Sequence, residues 1–257
     1  MLFKLRFSGC GSDGRIVRIN DRRQTDMDDY ANIGYAAERE SAQKKFLTGT
    51  YGWMAVALLI SAASAFITAN SYTLLKLIFT SWHYWVLIIG ELALVWWLSA
   101  SIRRISLATA VIGFLGYSVL NGMTLASIFF VYSQESLTVV FITCAAMFAG
   151  MALYGLRTKS NLSGYGQYLI MAVWGIIVAS LLNILFKSSG LTLIISLVSV
   201  AVFAGLTAYD SQKMLAISAH ADDSEAYRKV SILGALELYL DFINMFLALL
   251  RIFGRRR

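Results

Sequence analysis

Seven long apolar stretches decide what this chain can fold into. They cover residues 52–69, 84–101, 107–132, 137–156, 165–186, 191–209 and 230–250. Each is close to the roughly 17 to 25 residues a helix needs to span a bilayer, and none alternates with period two as barrel strands do. A soluble core could not absorb them all. The chain is 58% hydrophobic and 14% charged, against about 45 to 50% apolar and about 25% charged in soluble domains. The reading is an all-α integral membrane protein with one membrane domain, its partner the lipid bilayer.

Residues 1–45 are polar and mixed in charge and read as a flexible cytoplasmic tail. Arg15, Arg18, Arg22 and Arg23 are followed by Asp26, Asp28 and Asp29, an interleaving of acids that argues against a nucleic-acid arm. No leader-length apolar core follows the first basic residues, so a cleaved leader is not expected. Met27 opens the more orderly run MDDYANIGYAAERES, and a translation start there is an expectation that the intact mass of native protein tests. Cys10 and Cys144 read as free thiols, since a bond between them would tie the tail to the membrane core.

Charge asymmetry predicts orientation. Lys44 and Lys45 precede the first span. Arg103 and Arg104 lie in the second connection, Arg157 and Lys159 in the fourth, and Lys213, Arg228 and Lys229 in the sixth. The odd connections carry only Lys76 and Lys187, so the N-terminus is expected on the cytoplasmic side. Arg251, Arg255, Arg256 and Arg257 break the pattern, because a full seventh crossing puts them outside. Either the last segment re-enters, or the first six spans overrule it.

Charges inside the spans carry the functional argument. In residues 231–254, SILGALELYLDFINMFLALLRIFG, a helix places Glu237, Asp241 and Asn244 on one stripe at spacings of four and three. An acid at the centre of a membrane helix costs about 2.5 to 3.5 kcal/mol, so it should face a partner, a cavity or a proton. Asp241 has about ten residues on either side before a basic group, roughly 15 Å at the helical rise. Glu91 sits near the middle of the second span. Asp210 sits at the end of the sixth, where it reads equally as an interfacial carboxylate beside Lys213. Arg103 and Arg104 read equally as simple anchors. If Asp210 faces Asp241, the two share a proton, because like charges a few ångströms apart cannot both ionise cheaply. No metal site or cofactor is expected: His83 and His220 lack a second ligand at spacing, and Asp222, Asp223 and Glu225 lack the EF-hand pattern.

The run TAYDSQKM at 207–214 and the segment 231–254 closely resemble the paired C-terminal motifs of the Bax inhibitor-1, or transmembrane Bax inhibitor motif, family. YGWMAVALLISA at 51–62 and LYGLRTKSNLSGYG at 153–166 resemble its bacterial inner-membrane branch. The resemblance covers nearly all the chain beyond the tail, about residues 42–256, and assigns residues 46–257 to the membrane domain. It implies seven helices, six surrounding a central C-terminal one, and a pH-sensitive di-aspartyl pair that gates a calcium or cation leak across an inner membrane. Asp210 and Asp241 match that pair. Arg103 or Arg104 matches the arginine that latches the charged pair, and Glu91 matches an acid earlier in the same helix. Glu237 departs from the family, which has a neutral residue there, and so shifts the pH at which the pair would respond.

Two other readings remain. An intramembrane aspartyl protease also needs two membrane aspartates, and Tyr209-Asp210 resembles half of the presenilin-type signature; the other half, Gly-x-Gly-Asp, is absent before Asp241, so an enzyme is not expected. The other is a non-transporting regulator that binds or inhibits a membrane protease or stress-pathway protein, as the resemblance also allows.

Overall fold

The computed structural model of the protein describes residues 13–79, 82–222 and 224–256, with side chains from residue 38 onward. Cys10 and Asp223 lie outside them. Nine helices and no strand are present among the described residues: α1 Asp13–Asn70, α2 Tyr72–Phe79, α3 His83–Ser101, α4 Leu107–Leu125, α5 Ile128–Val131, α6 Gln134–Arg157, α7 Gly166–Phe186, α8 Ser189–Ser218 and α9 Glu225–Phe253. Seven apolar units are long enough to cross a membrane, with α4 and α5 acting as one.

The order of the spans follows the apolar stretches, and the ends differ in ways that matter. The segment read as a flexible tail continues the first span, because α1 runs unbroken from Asp13. The sixth span does not stop near Tyr209 but continues two turns to Ser218, which puts Asp210 and Lys213 inside a helix. The third stretch breaks at Ala126, whose N–H bonds both Gly122 O and Met123 O, and the Ser127 hydroxyl then donates to Thr124 O at 3.1 Å. That tightened last turn redirects the chain into α5. The short α2 lies in the first connection, and at eight residues it cannot cross a bilayer.

Helix α9 is the axis. Of its most apolar window 72% is buried, against at most 39% for any other span, and Leu236, Leu238, Tyr239, Met245 and Leu250 are enclosed. It packs along α8, α1, α6 and α4. By contrast α7 buries none of its apolar window and touches mainly α8, turning Trp174, Leu181 and Leu185 outward as a lipid-facing helix does. Lipid tails are as apolar as leucine, so such a bundle is held by close backbone approach and interhelical hydrogen bonds. At Gly122, a Cβ would run into the backbone of Ser61 on α1, and at Gly155 into the backbone of Ala208 on α8. Of the third-span glycines, Gly122 is therefore needed for close approach, while Gly116 faces open space.

The last segment crosses completely. At its start, Glu225 Oε1 accepts from Leu107 N at 3.0 Å and Lys229 Nζ donates to Ile105 O at 3.1 Å, which ties it to the α3–α4 connection. At its end, Ser133 N donates to Arg255 O at 3.1 Å and Arg255 N to Ser136 Oγ at 3.0 Å, beside the start of α6. Arg255 and Arg256 therefore lie at the end of the bundle opposite Lys45. The last segment is an unbroken helix of 29 residues, about 43 Å long, which does not re-enter.

Candidate functional site

Helices α8 and α9 bring the two aspartates together at the centre of the bundle. Asp210 is 8% exposed and Asp241 5%, and their carboxyl groups lie within hydrogen-bond reach of each other. Asp241 Oδ2 is buried with no hydrogen-bond partner among the described residues. Two carboxylates so placed repel each other when both are ionised. Tyr51 of α1 closes the third side, donating from its hydroxyl to Ser211 Oγ at 2.8 Å.

One turn away stands an ion pair. Lys213, three residues after Asp210, donates to both oxygens of Glu237, four residues before Asp241, at 3.0 and 2.8 Å. The lysine and glutamate side chains keep 37% and 30% exposure, and both act electrostatically on both aspartates. The extra acid read at Glu237 is thus largely balanced by a cation on the facing helix. Asn244, the third member of the stripe, is spent on its own helix, its Nδ2 donating to Leu240 O at 2.8 Å.

Neither latch candidate reaches this site. Arg103 and Arg104 are exposed in the α3–α4 connection. That connection is pinned to α9 at Glu225 and Lys229, and the twelve residues from Lys229 to Asp241 span about 18 Å of helix. The cation beside the aspartates is Lys213, which sequence reasoning assigned to a connection because the sixth apolar stretch seemed to end at Tyr209.

Glu91 belongs to a second polar cluster on another side of α9. It is 8% exposed and accepts from Asn121 Nδ2 at 3.2 Å and from the Thr124 hydroxyl. Tyr239 OH donates to Asn121 Oδ1 at 2.9 Å and meets Ser61 Oγ at 2.6 Å, and Ser61 Oγ donates on to Ser118 O at 2.7 Å. The chain Ser61–Tyr239–Asn121–Glu91 thus links α1, α9, α4 and α3. Tyr239 and Asp241 are two residues apart, about 200° around the helix, so α9 presents one polar group to each side. Neither Tyr239 nor Asn121 was singled out from sequence: a tyrosine and an asparagine in apolar runs carry no spacing signal.

Among the described residues there is no group of three histidines, cysteines or acids that could hold a metal ion. Asp222 is held below the usual carboxylate range by hydrogen bonds from Ser224, whose N–H it accepts at 2.9 Å. With Glu225 occupied by Leu107 N, this acidic turn starts and ties down α9. Cys144 is a buried free thiol whose Sγ donates to Phe242 O at 3.7 Å.

Comparison with known proteins places the chain in a family. The profile of the family described as "Inhibitor of apoptosis-promoting Bax1" matches residues 43–257. The chain is 45% identical over 234 residues to the inner membrane protein YbhL of Escherichia coli (strain K12), covering 90% of this chain and all of that protein. It is 44% identical over 217 residues to an uncharacterized protein of Borreliella burgdorferi, covering 84% of this chain and 94% of that one. It is 35% identical over 214 residues to the uncharacterized protein RP147 of Rickettsia prowazekii, covering 83% and 91%. With seven spans, a central C-terminal helix and a family match over everything beyond the first 42 residues, the chain belongs to the Bax inhibitor-1 family of membrane proteins.

Proposed function

We propose that the protein is a pH-responsive leak pathway for calcium or other cations, gated by Asp210 and Asp241 and involving no chemical transformation. One observation carries this reading: two buried carboxyl groups within reach of each other, one of whose oxygens has no partner. A group so placed binds a proton or a cation, or stays costly. When the pair holds a proton, Lys213 rests on Glu237. When the pair loses its last proton, two negative charges lie one turn from the Lys213 ammonium and draw it inward, closing the path with a cation of the protein's own. Acidification reverses that exchange, and Lys213 takes the part that the resemblance gave to Arg103 or Arg104.

The membrane is proposed to be a bacterial inner membrane, in keeping with the name of the Escherichia coli relative, with the N-terminus and the basic connections on the cytoplasmic side. The test is calcium flux into liposomes holding the full chain, from pH 8 to pH 6, for the native protein and for Asp210→Asn with Asp241→Asn. Native flux that rises on acidification, with the dependence lost in the double variant, supports the gate. Flux equal to empty liposomes at every pH sinks it and leaves the regulator reading, which draws on the family description as an inhibitor.

A further inference from the structure

A cavity of about 660 Å³ opens on the basic face, between the α6–α7 connection and the final turns of α8, and Lys159, Asn161, Tyr209, Gln212, Lys213 and His220 line it. No acid lines it. Two lysines share one concavity because the connection is clamped. Gln212 Nε2 donates to Ser160 O at 2.8 Å while its Oε1 accepts from Leu162 N at 2.7 Å. Inside that clamp Asn161 Oδ1 accepts from Ser163 N at 2.9 Å, which fixes the turn carrying Lys159. At the far end of the connection, Gly166 lies against the Tyr209 ring with no room for a Cβ. Two lysines that line one concavity repel, and an anion between them relieves that repulsion. Lys213 has three donor hydrogens and Glu237 engages two of its directions, at 3.0 and 2.8 Å, so a donor remains for a ligand.

We propose that this cavity binds a phosphate group, with Lys159 and Lys213 as its cationic walls and the polar side chains of the clamped turn at its rim. Lysine serves phosphate as a point charge, and basic pockets at the ends of membrane helices take phospholipid head groups. The phosphate comes either from an anionic phospholipid or from a free phosphate in solution. The site shares Lys213 with the proposed gate but contains neither aspartate, and binding is measured without reference to flux, so its failure leaves the leak reading untouched.

The experiment uses full-length protein in detergent. Calorimetric titration with inorganic phosphate probes the soluble source, and native mass spectrometry with phosphatidylglycerol against phosphatidylcholine probes the lipid source. Lys159 is exposed, so Lys159→Gln should melt with the native protein yet bind the preferred probe about fivefold more weakly, while Lys159→Arg restores binding. Asn161→Asp gives an independent check, since an aspartate accepts the same Ser163 N–H and keeps the turn while placing a negative charge at the rim; it too should weaken binding. Saturable phosphate binding that both variants weaken assigns the free anion. Selective retention of phosphatidylglycerol that both weaken assigns the head group. Absence of binding to either probe, or binding that neither variant alters, overturns the proposal.

Discussion

Tyr239→Phe removes a single oxygen from the centre of the protein, and its consequence can be worked from the surrounding bonds. Tyr239 is fully enclosed. Its hydroxyl donates to Asn121 Oδ1 at 2.9 Å and meets Ser61 Oγ at 2.6 Å. Ser61 keeps its bond to Ser118 O at 2.7 Å, so the loss falls on Asn121 Oδ1. Rotating the Asn121 amide to recover a donor would take Nδ2 off Glu91, so the deficit can only move along the chain. The phenyl ring retains its edge contacts to Phe114 and Tyr117, at 5.9 and 5.8 Å between centroids. One buried acceptor without a donor costs about 1 to 3 kcal/mol. Interhelical hydrogen bonds in membranes average about 0.6 kcal/mol and reach about 1.7, because the unfolded reference also finds partners. The lower part of the first range is therefore the expectation, about 1 to 1.5 kcal/mol, read by reversible unfolding in mixed detergent micelles. Tyr239→Leu, which also loses both ring contacts, should cost about 0.5 to 1.5 kcal/mol more for each aromatic pair. A Tyr239→Phe protein within about 0.3 kcal/mol of native, with Ser61→Ala strictly additive to it, would refute the view that this chain of bonds holds α9 to α1 and α4.

The ion pair beside the aspartates should set the pH at which flux rises. Glu237→Gln leaves the Lys213 charge uncompensated near both aspartates and favours their ionised form, so activation should need more acid; Lys213→Gln removes the closing cation, so flux should stay high from pH 8 to pH 6. A Glu237→Gln midpoint moved to higher pH, or a Lys213→Gln protein that still closes at pH 8, would contradict this reading. Gly155→Leu drives a side chain into the Ala208 backbone and should abolish a monodisperse gel-filtration peak, whereas Gly116→Leu, facing open space, should leave it intact. Single cysteines at Lys45 and Arg256 should label from opposite sides of sealed vesicles, and labelling from one side would disprove the full crossing of α9.

The architecture was legible because a bilayer imposes one length and one polarity on every span. Boundaries were less so, since helices outrun their apolar windows. The window ending at Tyr209 hid that α8 runs on to Ser218, and with it the position of Lys213. Charge counting likewise could not settle α9, because Arg251, Arg255 and Arg256 stand against the pattern of all the earlier connections. What settled it was packing: an unbroken helix whose end is hydrogen-bonded to residues 133 and 136.

The candidate site divides along the same line. Asp241 and Glu91 were readable as costly charges in apolar runs, because electrostatics in hydrocarbon leaves a mark on composition, whereas Asp210 at the end of its stretch reads equally as an interfacial carboxylate. That Asp210 meets Asp241 was implied by the resemblance and not by composition or spacing, and nothing in the separate helices says that Glu91 lies on another side of α9 from Asp241. The compensating groups were the least legible. A lysine three residues after an aspartate looks like the end of a span, and a tyrosine in a leucine-rich run looks like core. Yet Lys213 sits beside one acid cluster and Tyr239 reaches another through Asn121, each from the facing or central helix. A central helix with a polar residue on each of two sides cannot turn or slide to improve one set of bonds without breaking the other. This is the physical reason to expect that a change at the aspartates is felt at Glu91. The expectation is concrete: Glu91→Gln, which keeps an acceptor for Asn121 but removes the charge, should move the midpoint of acid-activated flux while leaving the unfolding free energy within about 0.5 kcal/mol of native. An unchanged midpoint would mean that α9 insulates its two sides from each other.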